Sequence, residues 1–255
     1  MRKPVMAGNW KMHKTYDEAL DFIYSVNESL PSRDEVETIL FAPSMLLVSL
    51  VKRQGENLEI GAQNMHYAEF GAFTGEISAD MLTAVGVYHV MVGHNERRKY
   101  FSESDEDINK KAQAAVDHGM IPVICFGETE EQYLHHNTDN ILRRQVHAAL
   151  IGIQESKMAD VIIAYEPIWA VGTGKTATPE IAEEKCKLIR NCIEELFGSD
   201  VASQVRILYG GSVTPYNVTS LVAEEDIDGV LVGGASLDPD KFIDMAFKCK
   251  KKKVN

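Results

Sequence analysis

The sequence predicts an α/β protein, a closed (β/α)8 barrel that forms a single domain over residues 1–255, and three observations lead to this fold. Eight short apolar runs rich in β-branched residues recur along the chain, and nearly all are continuously apolar, as expected of parallel strands buried on both faces. A turn and a longer segment of helical period follow each run. Eight units in 255 residues average roughly thirty residues each, and barrels of this kind occupy about 250 residues.

The predicted strands and helices alternate throughout, without a Pro-, Gly- or Ser-rich linker that would separate two domains. The strands cover residues 5–9, 37–42, 58–63, 88–92, 121–126, 161–165, 206–209 and 229–232. Apolar residues at three- and four-residue steps between them predict helices with one buried face. Such steps are formed by Tyr16, Leu20, Ile23, Val26 and Leu30, by Ile108, Ala112 and Ala115, and, after Pro179, by Ile181, Leu188, Ile189, Cys192, Ile193 and Leu196. An open doubly wound sheet is the alternative, and in either fold ligand sites lie at the carboxyl ends of the strands.

Charge and composition restrict the possible functions. The chain has 26 Lys and Arg against 38 Asp and Glu, a formal charge of −12, which argues against a nucleic-acid-binding surface. Any anionic ligand must therefore be held by local positive features.

No apolar run approaches the ~20 residues of a membrane span, and the N-terminus has no apolar signal core, which predicts a cytoplasmic protein. The four cysteines include no C-x-x-C pair, so we expect reduced, buried thiols.

Polar residues and glycines lie at the ends of five predicted strands. Because a barrel brings the carboxyl ends of all its strands to one rim, we expect these residues to meet there. They are Asn9 and Lys11 at the first strand, His94, Asn95 and Glu96 after the fourth, Glu166 after the sixth, Gly210, Gly211 and Ser212 after the seventh, and Gly233 and Gly234 after the eighth.

The glycine pairs after the seventh and eighth strands predict an anion site. Glycine lets the backbone approach a ligand closely, and each pair precedes a predicted helix. Backbone N–H groups hold a phosphate without a basic side chain, which agrees with the net charge of −12. One Gly-Gly pair alone is better explained by a tight turn. Two pairs at neighbouring strand ends favour a phosphate site, which barrels usually have at this place.

Glu166 has the position expected of a general base. It precedes residues 167–176, a loop with a glycine-rich centre and three apolar residues near its start, Ile168, Trp169 and Val171. Exposed apolar residues on a loop are costly unless they cover something, so this loop is predicted to be a lid. A carboxylate under a lid that excludes water becomes a stronger base. The alternative is a surface Glu paired with a Lys or Arg.

His94 and Lys11 add an electrophile and a cation. Asn95 is a good N-cap residue, so we expect a short helix there, and a helix N-terminus beside an imidazole disfavours its charged form. A neutral His94 then donates an N–H to a substrate carbonyl. Lys11 meets a phosphate and a developing oxyanion, and Asn9 offers a neutral polar contact. If each residue is considered alone, the alternatives to these roles are a structural histidine for His94 and a solvated lysine for Lys11.

Six sequence blocks stand out along the chain: residues 8–12 (GNWKM), 72–76 (AFTGE), 125–129 (CFGET), 164–174 (AYEPIWAVGTG), 209–213 (YGGSV) and 233–237 (GGASL). In this order they resemble those of the triosephosphate isomerase family. The resemblance covers essentially the whole chain, and it implies the interconversion of dihydroxyacetone phosphate and D-glyceraldehyde 3-phosphate through an enediol(ate). It also implies a place in glycolysis and gluconeogenesis and neither a metal nor an organic cofactor.

By matching position, the resemblance implies roles for individual residues. Glu166 is the base that moves a proton between two carbons, His94 is the electrophile that shuttles protons between the oxygens, and Lys11 is the cation beside the oxyanion. The family is itself a standard example of a Glu base with a His kept neutral at a helix N-terminus, so this assignment rests on the resemblance. Residues 167–176 are implied to be the lid. The implied substrate-binding residues are Asn9 in the pocket wall and Gly172, Ser212, Gly233 and Gly234 around the phosphate.

The resemblance further implies a homodimer. The loop over residues 72–76 inserts into the partner near Lys11, with Thr74 close to the partner's active site. Glu96 pairs with Lys11, and the two arginines that follow Glu96 are structural or interfacial.

The chain departs from the family at Asn95, where the family has Ser. Both residues cap helices well, but an amide and a hydroxyl differ in reach and donor geometry. The resemblance therefore does not extend to a resting hydrogen bond from this position to Glu166. Two other functions stay open: another phosphate-binding barrel enzyme, such as an aldolase or decarboxylase, and a non-catalytic binding protein on the same fold.

Overall fold

A computed structural model describes residues 2–170 and 177–250 and confirms the predicted barrel. Eight strands pair in parallel and in sequential order, and the last closes on the first with Gly229 opposite Val5. Five strands match their predicted bounds, and the third, fourth and sixth are one or two residues shorter. The strands are β1 (Val5–Asn9), β2 (Glu37–Ala42), β3 (Glu59–Ala62), β4 (His89–Val92), β5 (Ile121–Phe126), β6 (Ile162–Tyr165), β7 (Arg206–Tyr209) and β8 (Gly229–Val232).

Helices connect the strands and pack against the outside of the barrel. Within the described ranges they are α1 (Tyr16–Val26), α2 (Leu47–Val51), α3 (Ala79–Ala84), α4 (Asn95–Phe101), α5 (Asp105–Asp117), α6 (Glu130–Leu134), α7 (Thr138–Leu150), α8 (Pro179–Phe197), α9 (Ser199–Ala202), α10 (Val218–Val222) and α11 (Pro239–Lys248). Short 3-10 helices span Ser44–Leu46, Glu155–Asp160, Ile168–Ala170 and Gly234–Leu237.

Local sequence explains where helices begin and end. Thr178 and Asp238 cap α8 and α11, and each is followed by a proline that suits the first turn. The predicted first helix is too long, because α1 ends at Val26 and the side chain of Asn27 bonds to backbone groups beyond α2. On the predicted stripe of that helix, Tyr16 is exposed, so the stripe marks the buried face only approximately.

The barrel is filled by apolar side chains from alternate strand positions and carries polar groups at both ends. At the amino ends of the strands, Glu37 of β2 contacts His89 of β4 and Arg206 of β7. The opposite end forms the rim where the predicted site residues lie.

All four cysteines are free and buried, as predicted. Over residues 2–170 and 177–250, no helix has the length and apolarity needed to cross a membrane.

Candidate active site

The carboxyl ends of the strands surround a cavity of about 290 Å³. The predicted residues that line it are Asn9, Lys11, His94, Glu166, Gly210, Gly211, Ser212, Gly233 and Gly234. Of the other predicted residues, Gly172 lies outside the described residues, and Thr74 is exposed in the loop between β3 and α3. The fold therefore brings together side chains from β1, β4 and β6 with the glycine pairs after β7 and β8.

Glu166 is held through both its backbone and its carboxylate. Its N–H donates to the carbonyl of Phe126 at 2.7 Å, which continues the β5–β6 pairing beyond the strand end. One carboxylate oxygen lies 3.1 Å from Nε2 of His94, and the other accepts the backbone N–H and the side-chain amide of Asn95 at 3.2 and 3.3 Å. The side chain is 3% exposed. A resting hydrogen bond to Glu166 is thus present despite the departure from Ser, because the amide of Asn95 reaches the carboxylate.

Burial and the two partners act in opposite directions on the pKa values of this pair. Burial raises the pKa of Glu166, but the imidazole of His94 and the N–H donors of Asn95 outweigh burial and hold the pKa below its usual range. Burial likewise lowers the pKa of His94, but the carboxylate of Glu166 raises it above its ordinary value. Each partner stabilises the charged form of the other. The helix N-terminus is expected to lower the pKa of His94, and in the resting site the carboxylate of Glu166 raises it instead.

His94, and not Asn95, is the N-cap of α4. The helix begins at Asn95, and Nδ1 of His94 accepts the backbone N–H of Glu96 at 3.3 Å. A ring nitrogen that accepts a hydrogen bond carries no proton, so in the neutral imidazole the proton lies on Nε2, toward Glu166 and the cavity. The prediction of Asn95 as the cap is wrong because its side chain is bonded to Glu166 instead.

Lys11 has a left-handed backbone with φ 52°, which a residue other than glycine adopts only where its surroundings hold it. Its N–H donates to Oδ1 of Asn9 at 2.9 Å, and its carbonyl accepts Nε2 of Gln63 at 2.8 Å. Its Nζ lies 2.8 Å from the carboxylate of Glu96. Gln63 also donates to Asn9 at 3.3 Å, so it supports both residues of this corner. Gln63 is not among the predicted site residues, although it directly follows β3, as the others follow their strands.

Glycines border the cavity, and the space around them differs from one glycine to the next. A Cβ at Gly210 would lie 2.8 Å from Cγ of Glu166, and a Cβ at Gly233 would lie 3.3 Å from Cε of Lys11. At Gly234 a Cβ would meet nothing within 4 Å. The ends of β7 and β8 therefore present bare backbone beside the carboxylate and the ammonium group, an arrangement suited to a small anion.

The start of the predicted lid is buried, so the prediction of exposed apolar residues is wrong for Trp169. Its indole N–H donates to the carboxylate of Glu128 at 2.7 Å, and its ring stacks on Tyr133 with 4.3 Å between centroids. Glu128 also accepts the hydroxyl of Tyr165 at 3.2 Å, and burial raises the pKa of this carboxyl. Trp169 is accommodated inside because Glu128 satisfies its only donor. Residues 171–176 of the predicted lid lie outside the described residues.

A second cavity, of about 360 Å³, adjoins the first at Asn9, Lys11 and His94. Its wall includes Met12 and Phe101, which expose 94% and 66% of their surface. Exposed apolar side chains around an open cavity are typical of an interaction surface.

The comparisons with known proteins agree with this geometry. The family model described as Triosephosphate isomerase matches residues 4–249. The triosephosphate isomerase of Lactococcus lactis subsp. lactis (strain IL1403) is 48% identical over 243 residues, which cover 95% of this chain and 96% of that protein. The triosephosphate isomerase of Lactococcus lactis subsp. cremoris (strain MG1363) shows the same identity and coverage. Because the family model and both relatives span nearly the whole barrel, including the rim that carries the site, the chain belongs to the triosephosphate isomerase family.

Proposed function

We propose that this chain interconverts dihydroxyacetone phosphate and D-glyceraldehyde 3-phosphate through an enediolate, as a step of glycolysis and gluconeogenesis. The observation that carries the proposal is a buried carboxylate, Glu166, beside the imidazole of His94, in a cavity that Lys11 also lines. Membership of the family supports the same activity.

Glu166 acts as the base. Its carboxylate takes a proton from C1 of dihydroxyacetone phosphate, the C1–H electron pair forms the C1–C2 double bond, and the carbonyl electrons move onto O2. Returning the proton to C2 then gives the aldehyde. At rest, His94 and Asn95 hold the pKa of Glu166 low against the opposite effect of burial. A carboxylate that turns from these donors toward the substrate loses them but stays buried, so its basicity rises where it is needed.

His94 moves the protons of the two oxygens. Its Nε2–H faces the cavity and donates to O2 as negative charge develops there. The deprotonated Nε2 then takes the proton of O1, so the C1–O1 double bond forms while Glu166 returns its proton to C2. Lys11 stabilises the oxyanion by its charge, and Asn9 fixes the backbone of Lys11 from the pocket wall.

The phosphate is assigned to the glycine pairs. Ser212, Gly233 and Gly234 line the cavity, and their backbone N–H groups supply uncharged donors in a chain with a net charge of −12. Gly172, in the lid over residues 167–176, is assigned to the same phosphate. Holding the remote phosphate in this way leaves the reacting carbons between Glu166 and His94.

A homodimer is part of the proposal, with the chain in the cytoplasm and no nucleic acid or membrane as a partner. The loop that carries Thr74 also exposes Phe70 and Phe73, and the second cavity beside Lys11 has the apolar rim that such a loop needs. In the proposed dimer this loop lies in the partner's cavity, and Thr74 lies near the partner's Lys11. Sedimentation equilibrium tests the assembly: Thr74→Arg is expected to yield monomers, and a monomeric wild-type protein would contradict it.

The activity is tested by coupling dihydroxyacetone phosphate formation from D-glyceraldehyde 3-phosphate to its reduction by NADH, in metal-chelated buffer. We expect rapid turnover by the wild-type protein. Glu166→Gln should lower kcat by at least about a hundredfold and keep the affinity for glycerol 3-phosphate, which has no carbonyl to react. Glu180→Gln, an exposed carboxyl on α8, is the matched control.

The outcomes separate the alternatives. Unchanged turnover in Glu166→Gln would remove Glu166 as the base. Binding of glycerol 3-phosphate by a folded wild-type protein without turnover would favour another phosphate-binding barrel or a non-catalytic binding protein.

A further inference from the structure

Arg98 holds the backbone on both sides of His94. Its Nε donates to the carbonyl of Gly93 at 2.8 Å, and its backbone N–H donates to the carbonyl of His94 at 3.2 Å. The carbonyl of Gly93 belongs to the peptide that leads into His94, so Arg98 sets the orientation of that peptide plane. Gly93 itself has φ 72°, and a Cβ there would lie 2.8 Å from the side chain of Ile108, so this turn requires glycine.

The same guanidinium group reaches the neighbouring strand. One of its terminal nitrogens donates to the carbonyl of Cys125 on β5 at 3.1 Å, and the other donates to Asp105 at the start of α5. The next residue of β5 is Phe126, whose carbonyl accepts the backbone N–H of Glu166 at 2.7 Å. One planar group therefore connects the peptide before His94 with the strand that fixes Glu166.

Arg98 lines neither of the two cavities, and its side chain is 15% exposed. Any effect on a substrate must therefore pass through the backbone. The adjacent Arg97 is directed differently, toward Glu103 at 3.2 Å and over the ring of Phe101. The two consecutive arginines thus have separate tasks, which the resemblance alone does not distinguish.

We propose that Arg98 is a positioning residue for the isomerase reaction, which sets the placement of the His94 imidazole relative to the Glu166 carboxylate. The inference rests on the roles given to His94 and Glu166 in the proposed function. Nε2 and the carboxylate oxygen are 3.1 Å apart, and an error of about 1 Å in such a site costs on the order of a hundredfold in rate. Lysine cannot replace the arginine, because one ammonium nitrogen cannot reach the Gly93 and Cys125 carbonyls and Asp105 with the geometry of the fork.

The test compares Arg98→Lys with Arg144→Lys. Arg144 is exposed and lies 3.7 Å from the same Asp105 carboxylate, so it controls for the exchange of a guanidinium for an ammonium group beside Asp105. For folded protein at equal protomer concentration, we would measure kcat, KM and the imidazole 15N resonances of His94, assigned with His94→Gln. In Arg98→Lys we expect kcat to fall about ten- to hundredfold, KM to stay within about threefold and the His94 resonances to move. Arg144→Lys should leave all three unchanged.

Two results would overturn the proposal. One is a folded Arg98→Lys protein with unchanged kcat and His94 resonances, even if its melting temperature falls, since that describes a merely structural arginine. The other is an equal loss in Arg144→Lys. If Arg98→Lys does not fold, Asp105→Asn decides by the same measurements, because it loosens the guanidinium anchor and keeps Arg98. A wild-type protein without turnover would refute the proposed function instead, and the His94 resonances would still report on the position of the ring.

Discussion

Glu37, at the amino ends of the strands, allows a quantitative test of how the barrel is held together. Its carboxylate contacts Arg206 of β7 and lies 3.0 Å from Nε2 of His89 on β4. Burial alone raises the pKa of this carboxyl. The hydrogen bond from His89 and the charges of Arg206 and His89 outweigh burial and lower the pKa to about 2.

The lowered pKa means that folding favours the ionised form of Glu37. A change from the ordinary pKa of 4.5 to about 2, at about 1.4 kcal/mol for each tenfold change in proton affinity, corresponds to about 3 kcal/mol. Because the folded-state pKa is the lower one, this stabilisation is complete above about pH 4.5 and is lost as the pH falls through about 2. We therefore expect Glu37→Gln to lower the free energy of unfolding by about 3 kcal/mol at neutral pH and by progressively less in acid.

Urea unfolding followed by circular dichroism, at one protomer concentration and a series of pH values, measures this difference. Glu59→Gln is the control, because Glu59 pairs with the exposed Arg33. This substitution should lower the free energy of unfolding by less than about 1 kcal/mol. The kcat of folded Glu37→Gln should stay at the wild-type value, since Glu37 lies at the end of the barrel opposite the cavity. A loss of stability no larger than in the control, or one that stays constant as the pH falls from about 4.5 to about 2, would refute the reasoning.

Two substitutions at the rim test how hydrogen bonding and steric contact position the Glu166 carboxylate. Asn95→Ser removes the side-chain hydrogen bond to Glu166 at 3.3 Å but keeps the backbone one. We therefore expect the interactions that hold the Glu166 carboxylate in its resting position to weaken by about 1 kcal/mol, and kcat to change by less than about tenfold. Unchanged kcat, substrate affinity and lid-opening kinetics together would show that the Asn95 amide has no part in the reaction. Gly210→Ala places a methyl group 2.8 Å from Cγ of Glu166 and should lower kcat by about tenfold or more, with glycerol 3-phosphate affinity maintained. The matched Gly233→Ala, whose methyl group meets only the flexible Lys11 at 3.3 Å, should affect kcat less, and equal effects in the two variants would contradict this view of Gly210.

Most of the fold follows from the sequence, because parallel strands buried on both faces leave continuous apolar runs. The bounds of β1, β2, β5, β7 and β8 match the prediction for this reason. The helices are predicted less accurately. Tyr16 belongs to the apolar stripe of α1 and is nevertheless exposed, since burial of a helical residue depends on which neighbours cover it and not on its spacing alone.

The site is predictable where a polar residue ends a strand, because the barrel gathers all carboxyl ends at one rim. Gln63 directly follows β3 and meets this criterion although it is not among the predicted residues, whereas Arg98 lies within α4 and does not meet it. Both donate to backbone carbonyls of distant residues, and these partners are not predictable. Gln63 bonds to Lys11 across 52 positions, and Arg98 bonds to Cys125 across 27. Nothing in a single glutamine or arginine indicates which carbonyl it will meet.

By itself, the sequence determined the barrel and the set of groups at the rim, because apolar periodicity and the residues at strand ends are local properties. The family followed from the resemblance of six ordered sequence blocks. Only the tertiary structure decided how these groups are paired. It placed the amide of Asn95 on a carboxylate 71 positions away, moved the helix cap to His94 and set the opposing pKa directions of His94 and Glu166. Those properties depend on distances and burial that arise only when separate strands meet, so no spacing within the chain contains them.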